Sequence, residues 1–188
     1  MMQTVHRKKI ARVDKLIKEA YSNLIKDEIS EARANADKIT AILNSIGWSV
    51  LESDRDTVRI HGDVMHLLGQ LARRNGDAHG ALGSFLVAQS KYEEVKFLRG
   101  IRRNNSQLGA VSETLGLYDE AINYFQLALQ GAKDQGDVLD IAGFNMNLGG
   151  TYRCQGRYDK AIACYMNAKV LFESLEERRG TYSVYQFT

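Results

Sequence analysis

The residues with the widest chemical range are four histidines, His6, His61, His66 and His79, and two cysteines, Cys154 and Cys164. Imidazoles gathered on one helical face could bind zinc or move a proton, and a thiolate beside a base could act as a nucleophile. Neither pattern is present. His61 and His66 stand five residues apart, off a common helical face, without a surrounding His-Glu-x-x-His, and read as surface or groove-lining side chains. Cys154 and Cys164 lack a Cys-x-x-Cys spacing and read as reduced, buried packing thiols. Gly76-Asp77-Ala78-His79-Gly80 and Asn147-Leu148-Gly149-Gly150 lack the Gly-x-x-x-x-Gly-Lys-Ser/Thr of a phosphate loop, so their glycines read as turns and helix contacts. These residues therefore point to no catalytic set, no metal site and no cofactor.

The elements that position them follow from composition. Among 188 residues there is no proline, where average usage of about 5% predicts roughly nine. A chain that never removes a backbone N–H in this way is most easily built from helices. The 44% hydrophobic and 26% charged content is that of a folded globular protein. A net charge of +2 asks for neither nucleic acid nor an anionic membrane, and no stretch approaches a membrane span. The charged residues Asp14, Lys15, Lys18 and Glu19 occupy the place of a signal-peptide apolar core, which fits a cytoplasmic protein.

The sequence repeats at a lag of 40. Leu68-Gly69 recurs as Leu108-Gly109 and Leu148-Gly149, Gly76 as Gly116 and Gly156, Ala81 as Ala121 and Ala161, and Ala88 as Ala128 and Ala168. Phe85, Phe125 and Tyr165 each follow the first alanine by four. Within a unit, Val64, Met65, Leu68 and Ala72 form one apolar stripe, Gly76-Asp77 breaks it, and Ala81, Leu82, Phe85 and Ala88 form a second. Each unit is a helix hairpin, with Gly69 and Ala81 allowing close approach and Phe85 filling space toward the neighbouring unit. One hairpin cannot cover its own apolar face, so stacking is required.

The order Leu-Gly-x-x-Tyr, Gly, Ala-x-x-x-aromatic, Ala, fullest in Leu148, Gly149, Tyr152, Gly156, Ala161, Tyr165 and Ala168, resembles the tetratricopeptide repeat. The resemblance implies an all-α fold, a right-handed superhelical array of antiparallel hairpins. Units are expected at about 61–100, 101–140 and 141–180 within a repeat region 57–180, after a degenerate cap at 1–56. The cap is expected to hold a first helix over 8–34, a turn at Asn35-Ala36-Asp37, and a second helix with Ile39, Leu43, Ile46 and Val50. Glu93, Lys133 and Glu173 stand where the family commonly has proline, which predicts longer second helices ending near Gly100, Gly136 and Gly180. Residues 181–188 are expected to open a further helix, cut short, with Tyr182, Val184, Tyr185 and Phe187 uncovered.

The resemblance also implies that the first helices line a concave groove that meets a ligand. The outward positions are Asp63, His66, Gln70 and Arg73 in the first unit, then Arg103, Ser106, Gln107 and Ala110, then Gly143, Asn147, Gly150 and Arg153. Asn147 and Gln107 would bond a peptide backbone, and Arg73, Arg103 and Arg153 would pair with acidic groups. The groove lacks the lysines of a chaperone-tail clamp. The expected function is a non-catalytic protein-interaction module binding a protein or peptide segment, with an acidic one favoured by these arginines. It resembles the input part of bacterial signalling regulators, with an output domain such as a diguanylate cyclase. The competing expectation is a homodimer formed through the terminal helices, a scaffold without a peptide ligand.

Overall fold

The computed structural model describes the backbone of residues 2–52 and 54–185, and the side chains of 6–52 and 54–176. Among these residues every regular element is helical: α1 (Met2–Ile25), α2 (Ile29–Ile46), a short 3-10 helix (Trp48–Glu52), α3 (Arg55–Arg74), α4 (Ala78–Glu94), α5 (Leu98–Thr114), α6 (Tyr118–Gln135), α7 (Val138–Cys154) and α8 (Tyr158–Tyr185). They form two compact units, residues 1–104 and 105–188, with α5 contributing its first turns to one and its remainder to the other.

In the first unit α1, α2 and α3 share one core. Val13, Leu16, Ile17, Ala20 and Leu24 of α1, spaced for one helical face, meet Ala32, Ala36, Ile39 and Leu43 of α2 and Ile60, Val64, Leu67 and Leu71 of α3. Of the apolar face expected on the leading helix, Val13 and Ile17 are buried, but Ile25 is 86% exposed. α3 begins at a capping box, in which the Asp54 carboxylate accepts from the Thr57 N–H and the Thr57 hydroxyl accepts from the Asp54 N–H. α4 closes the hairpin with α3. In the second unit Ala121, Ile122 and Phe125 of α6, Leu148 and Tyr152 of α7 and Ala161 of α8 form the main cluster, and Ala128, Ala132 and Phe144 form another.

Most of the helix-to-helix turns are built alike. In the turn after α3 the Asp77 N–H donates to Ala72 O and the Gly76 N–H to Arg73 O, closing a Schellman motif around a left-handed residue. Gly76, Gly116, Gly136 and Gly156 take φ between 66° and 79° at four of these turns, a region open to glycine without steric cost. The same motif recurs with Asp27 (φ 63°) and Lys96 (φ 52°) at its centre.

Those two turns correct the expected boundaries. The leading helix stops at Ile25, because Asp27 reverses the chain without a glycine, and Asn35-Ala36-Asp37 lies inside α2. α4 ends at Glu94, not near Gly100, because Lys96 supplies the left-handed residue; Gly100 is inside α5. α6 does end at Gly136. α8 passes Gly180 and continues to Tyr185, so no new helix opens at 181; the side chains of Tyr182, Val184, Tyr185 and Phe187 lie outside the described residues.

Within each hairpin the aromatic lies on its own glycine. A Cβ added at Gly69 would stand 2.7 Å from Phe85, at Gly109 2.7 Å from Phe125, and at Gly149 2.6 Å from Tyr165. The Phe85 ring covers Gly69, which lets the helix axes approach with a ring between them, and Asn104 of the following repeat donates to the Phe85 carbonyl.

Candidate functional site

A second glycine and aromatic pair extends this contact in the first unit. Gly62 lies seven residues before Gly69 and Tyr92 seven after Phe85, so the antiparallel hairpin brings them together, and a Cβ at Gly62 would stand 2.6 Å from the Tyr92 ring. The bare helix surface at Gly62 thereby admits a large ring whose hydroxyl reaches Asp63, donating to Oδ1 at 2.8 Å. Burial, reinforced by the Asp63 carboxylate, holds the Tyr92 hydroxyl above the usual phenol range, so it stays a donor.

Asp63 is the hub of a charged cluster. Its carboxylate pairs with Arg59 on the same helix and accepts from Arg103 Nη2 at 3.2 Å. Arg103 Nη2 also lies 3.1 Å from the Tyr92 hydroxyl, and its guanidinium stacks on the Tyr21 ring at 5.1 Å. Tyr21 donates its hydroxyl to the Asp63 carbonyl at 3.2 Å. Arg103 is thus fixed by a carboxylate, a hydroxyl and an aromatic face while its side chain stays 41% exposed.

A second chain of polar contacts runs beside it. His66 is fully buried, with Nδ1 3.0 Å from Asn104 Oδ1 and Nε2 3.0 Å from Gln70 Nε2. Asn104 Nδ2 donates to Phe85 O at 2.8 Å and to Gln89 Oε1 at 3.0 Å, which makes its Oδ1 the acceptor. The consistent assignment is neutral imidazole, with Nδ1–H donating to Asn104 and Nε2 accepting from Gln70. Burial, with the nearby Arg103 cation, pushes the His66 pKa down to about 3.

Above these two chains lies an open groove of about 710 Å³, lined by Lys18, Tyr21, Ser22, Leu24, Ile25, Gln70, Arg74 and Arg103. It carries three cations and no acid among its walls, with Leu24 and Ile25 as an apolar edge. Lys18 pairs with Asp14, and Arg74 pairs with Asp27 and donates to Leu24 O at 3.1 Å.

Gln70 and Arg103 therefore face this groove, whereas Asp63 and His66 lie beneath it and hold them in place. Arg73 is exposed. His61, also read as a surface or groove residue, is half-buried with its ring 5.7 Å from Trp48. In the second unit Ser106 and Gln107 are half-buried, and Gln107 Oε1 is buried without a hydrogen-bond partner among the described residues. Asn147 and Arg153 are exposed, with Ala110, Gly143 and Gly150 half-buried. Cys154 is exposed and Cys164 half-buried, correcting the expectation of two buried thiols; Cys154 is the last residue of α7. Among the described residues no group of three or more histidines, cysteines and carboxylates could hold a metal ion.

Tyr21, Tyr92, Asn104, Lys18 and Arg74 were not singled out as site residues. For Tyr92 a signal exists, the matched seven-residue steps from Gly69 to Gly62 and from Phe85 to Tyr92. Lys18, Tyr21 and Arg74 are joined by packing of α1 on α3, which no local spacing records.

The Tetratricopeptide repeat family profile matches residues 106–139 and 146–171. The fold is similar to the crystal structure of aspartyl phosphate phosphatase F from Bacillus subtilis, with a TM-score of 0.73 at 14% identity over 89% of this chain and 42% of that one. It is also similar to the apo form of RapI, with a TM-score of 0.72 at 13% identity over 88% of this chain and 44% of that one. The chain thus spans less than half the length of either. The tetratricopeptide domain of Arabidopsis FLU aligns with a TM-score of 0.58 at 21% identity over 64% of this chain and 99% of that domain. No curated protein matches the chain by sequence.

Proposed function

Because the chain is an all-helical tetratricopeptide-repeat protein, we propose that it is a non-catalytic interaction module whose first unit binds an acidic peptide or protein segment in the groove at Gln70 and Arg103. The observation that carries this reading is the lining of three cations without an acid, beside the apolar edge of Leu24 and Ile25. A carboxylate next to an apolar side chain complements that surface. The cations are already placed by partly exposed partners, so a ligand adds interactions without first ordering long side chains.

The non-catalytic part is supported by how the polar groups are used. His66 is locked neutral between two amides, and Asp63 is occupied by Arg59, Tyr92 and Arg103, so neither is poised for proton transfer to a ligand. Asn147 and Arg153 of the second unit are exposed, and a peptide contact there is proposed for that unit by itself. The resemblance to arrays of bacterial signalling regulators supports a regulatory, cytoplasmic setting with an output domain such as a diguanylate cyclase.

The test is fluorescence anisotropy with two labelled hexapeptides, one alternating aspartate and leucine, the other lysine and leucine. The acidic peptide is expected to bind, and Arg103→Glu to weaken it at least about tenfold, or roughly 1.4 kcal/mol. Equal binding of both peptides, or no effect of Arg103→Glu, overturns the reading.

A further inference from the structure

The second unit exposes an apolar stripe on its last helix. Tyr158, Ile162, Met166 and Val170 of α8 are spaced by four and are 63%, 56%, 63% and 62% exposed. On α6 the first half of this face is covered: Ile122, in the position corresponding to Ile162, is 7% exposed and packs with Leu148 and Tyr152 of α7, while Gln126 and Gln130, corresponding to Met166 and Val170, are polar and exposed. α8 therefore presents to solvent the position at which its counterpart packs on a helix, and extends it with two further apolar residues where α6 has glutamines.

We propose that this face pairs antiparallel with α8 of a second copy of the chain. The pattern is self-complementary about the level of Cys164. Turning one copy end for end sets Ile162 level with Met166 of the second copy, and Tyr158 level with Val170 of the second copy. Asp159 falls level with Lys169 of the second copy, and the two-fold axis makes this opposite-charge match twice. Lys169 is also paired within its own helix with Glu173, at 3.7 Å, both well exposed, so its long side chain can turn to a second copy at little cost. The stripe at four-residue spacing supplies the ridge that helix pairs interlock. A single helix pair buries little area, so association in the micromolar range is expected.

Sedimentation equilibrium of the full chain from about one to a few hundred micromolar tests the pairing over the range of a small interface. A concentration-dependent dimer is expected, and Met166→Glu, on a surface outside the core, should leave a helical monomer by circular dichroism. Lys169→Asp should weaken the dimer, and adding Asp159→Lys to it should restore association. A parent chain that stays monomeric throughout, a dimer indifferent to Met166→Glu, or a charge reversal that fails to restore would each overturn the proposal. The first outcome would assign the stripe to a different occupant.

Discussion

Asn104 Oδ1 accepts from His66 Nδ1 at 3.0 Å, while the nitrogen of the same amide is held by Phe85 O and Gln89 Oε1. A second imidazole proton would fall on Nε2, which accepts from Gln70 Nε2 at 3.0 Å, so protonation would set two donors against each other. The His66 pKa of about 3 lies below the ordinary value of 6.5, so protons favour the unfolded chain. The stability that comes from keeping His66 neutral is fully present above about pH 6.5 and is lost as pH falls toward 3. Unfolding free energies from urea titrations at pH 7 and pH 5 should differ by about 2 kcal/mol from this group. Burial also lowers the His61 pKa, which adds loss in the same direction. His66→Gln should flatten the profile; an unchanged profile contradicts the buried neutral imidazole.

Tyr92→Phe removes one donor from Asp63 and one partner from Arg103 while keeping the ring that covers Gly62. Leaving a buried carboxylate short of a hydrogen bond should cost about 1–2 kcal/mol in chemical denaturation. Peptide affinity should fall as well, since Arg103 loses one of the contacts that orient it. A stability loss with unchanged affinity would separate Tyr92 from the groove.

Gly109→Ala and Gly83→Ala make the same chemical change in helix interiors with opposite expected signs. At Gly109 the added carbon would stand 2.7 Å from Phe125, whereas at Gly83 it meets nothing within 4 Å. Overpacking at Gly109 should outweigh the helix-propensity gain and destabilise by about 1–2 kcal/mol. Gly83→Ala should stabilise by about 0.5–1 kcal/mol. Melting curves of the two variants check the glycine and aromatic contact.

Lys96→Gly should stabilise the chain by about 1 kcal/mol, because Lys96 is exposed and holds a left-handed φ of 52° that costs an L-residue about that much. The other turns with glycine at the corresponding place set the precedent. A loss of stability would mean that the lysine side chain contributes more than its backbone strain costs.

How far the molecule could be read from its sequence depended on whether local spacing carried the information. The Gly76, Gly116 and Gly156 turns and the Phe85, Phe125 and Tyr165 rings stand out because only glycine takes these backbone angles freely and only a missing Cβ admits these rings. The turns at Asp27 and Lys96 were missed because those residue types carry no such signature. Asp63 and His66 were assigned to the open side of their helix, and spacing alone could not show that α1 covers it; the Tyr21 ring lies 6.1 Å from His66 and its hydroxyl reaches Asp63 O. Gln70 and Arg103 were legible as groove residues, but the supporting role of Asp63 and the tyrosines and amides around it was not, since these come from α1, α3, α4 and α5 together.

The central claim is that Arg103 meets an acidic group of the ligand. A double-mutant cycle measures it: affinities of the parent chain and Arg103→Ala for the alternating aspartate and leucine hexapeptide, and for the same peptide with asparagine in place of aspartate. A coupling energy of about 1–2 kcal/mol is predicted for a direct contact. Additive losses, with a coupling energy near zero, would contradict it.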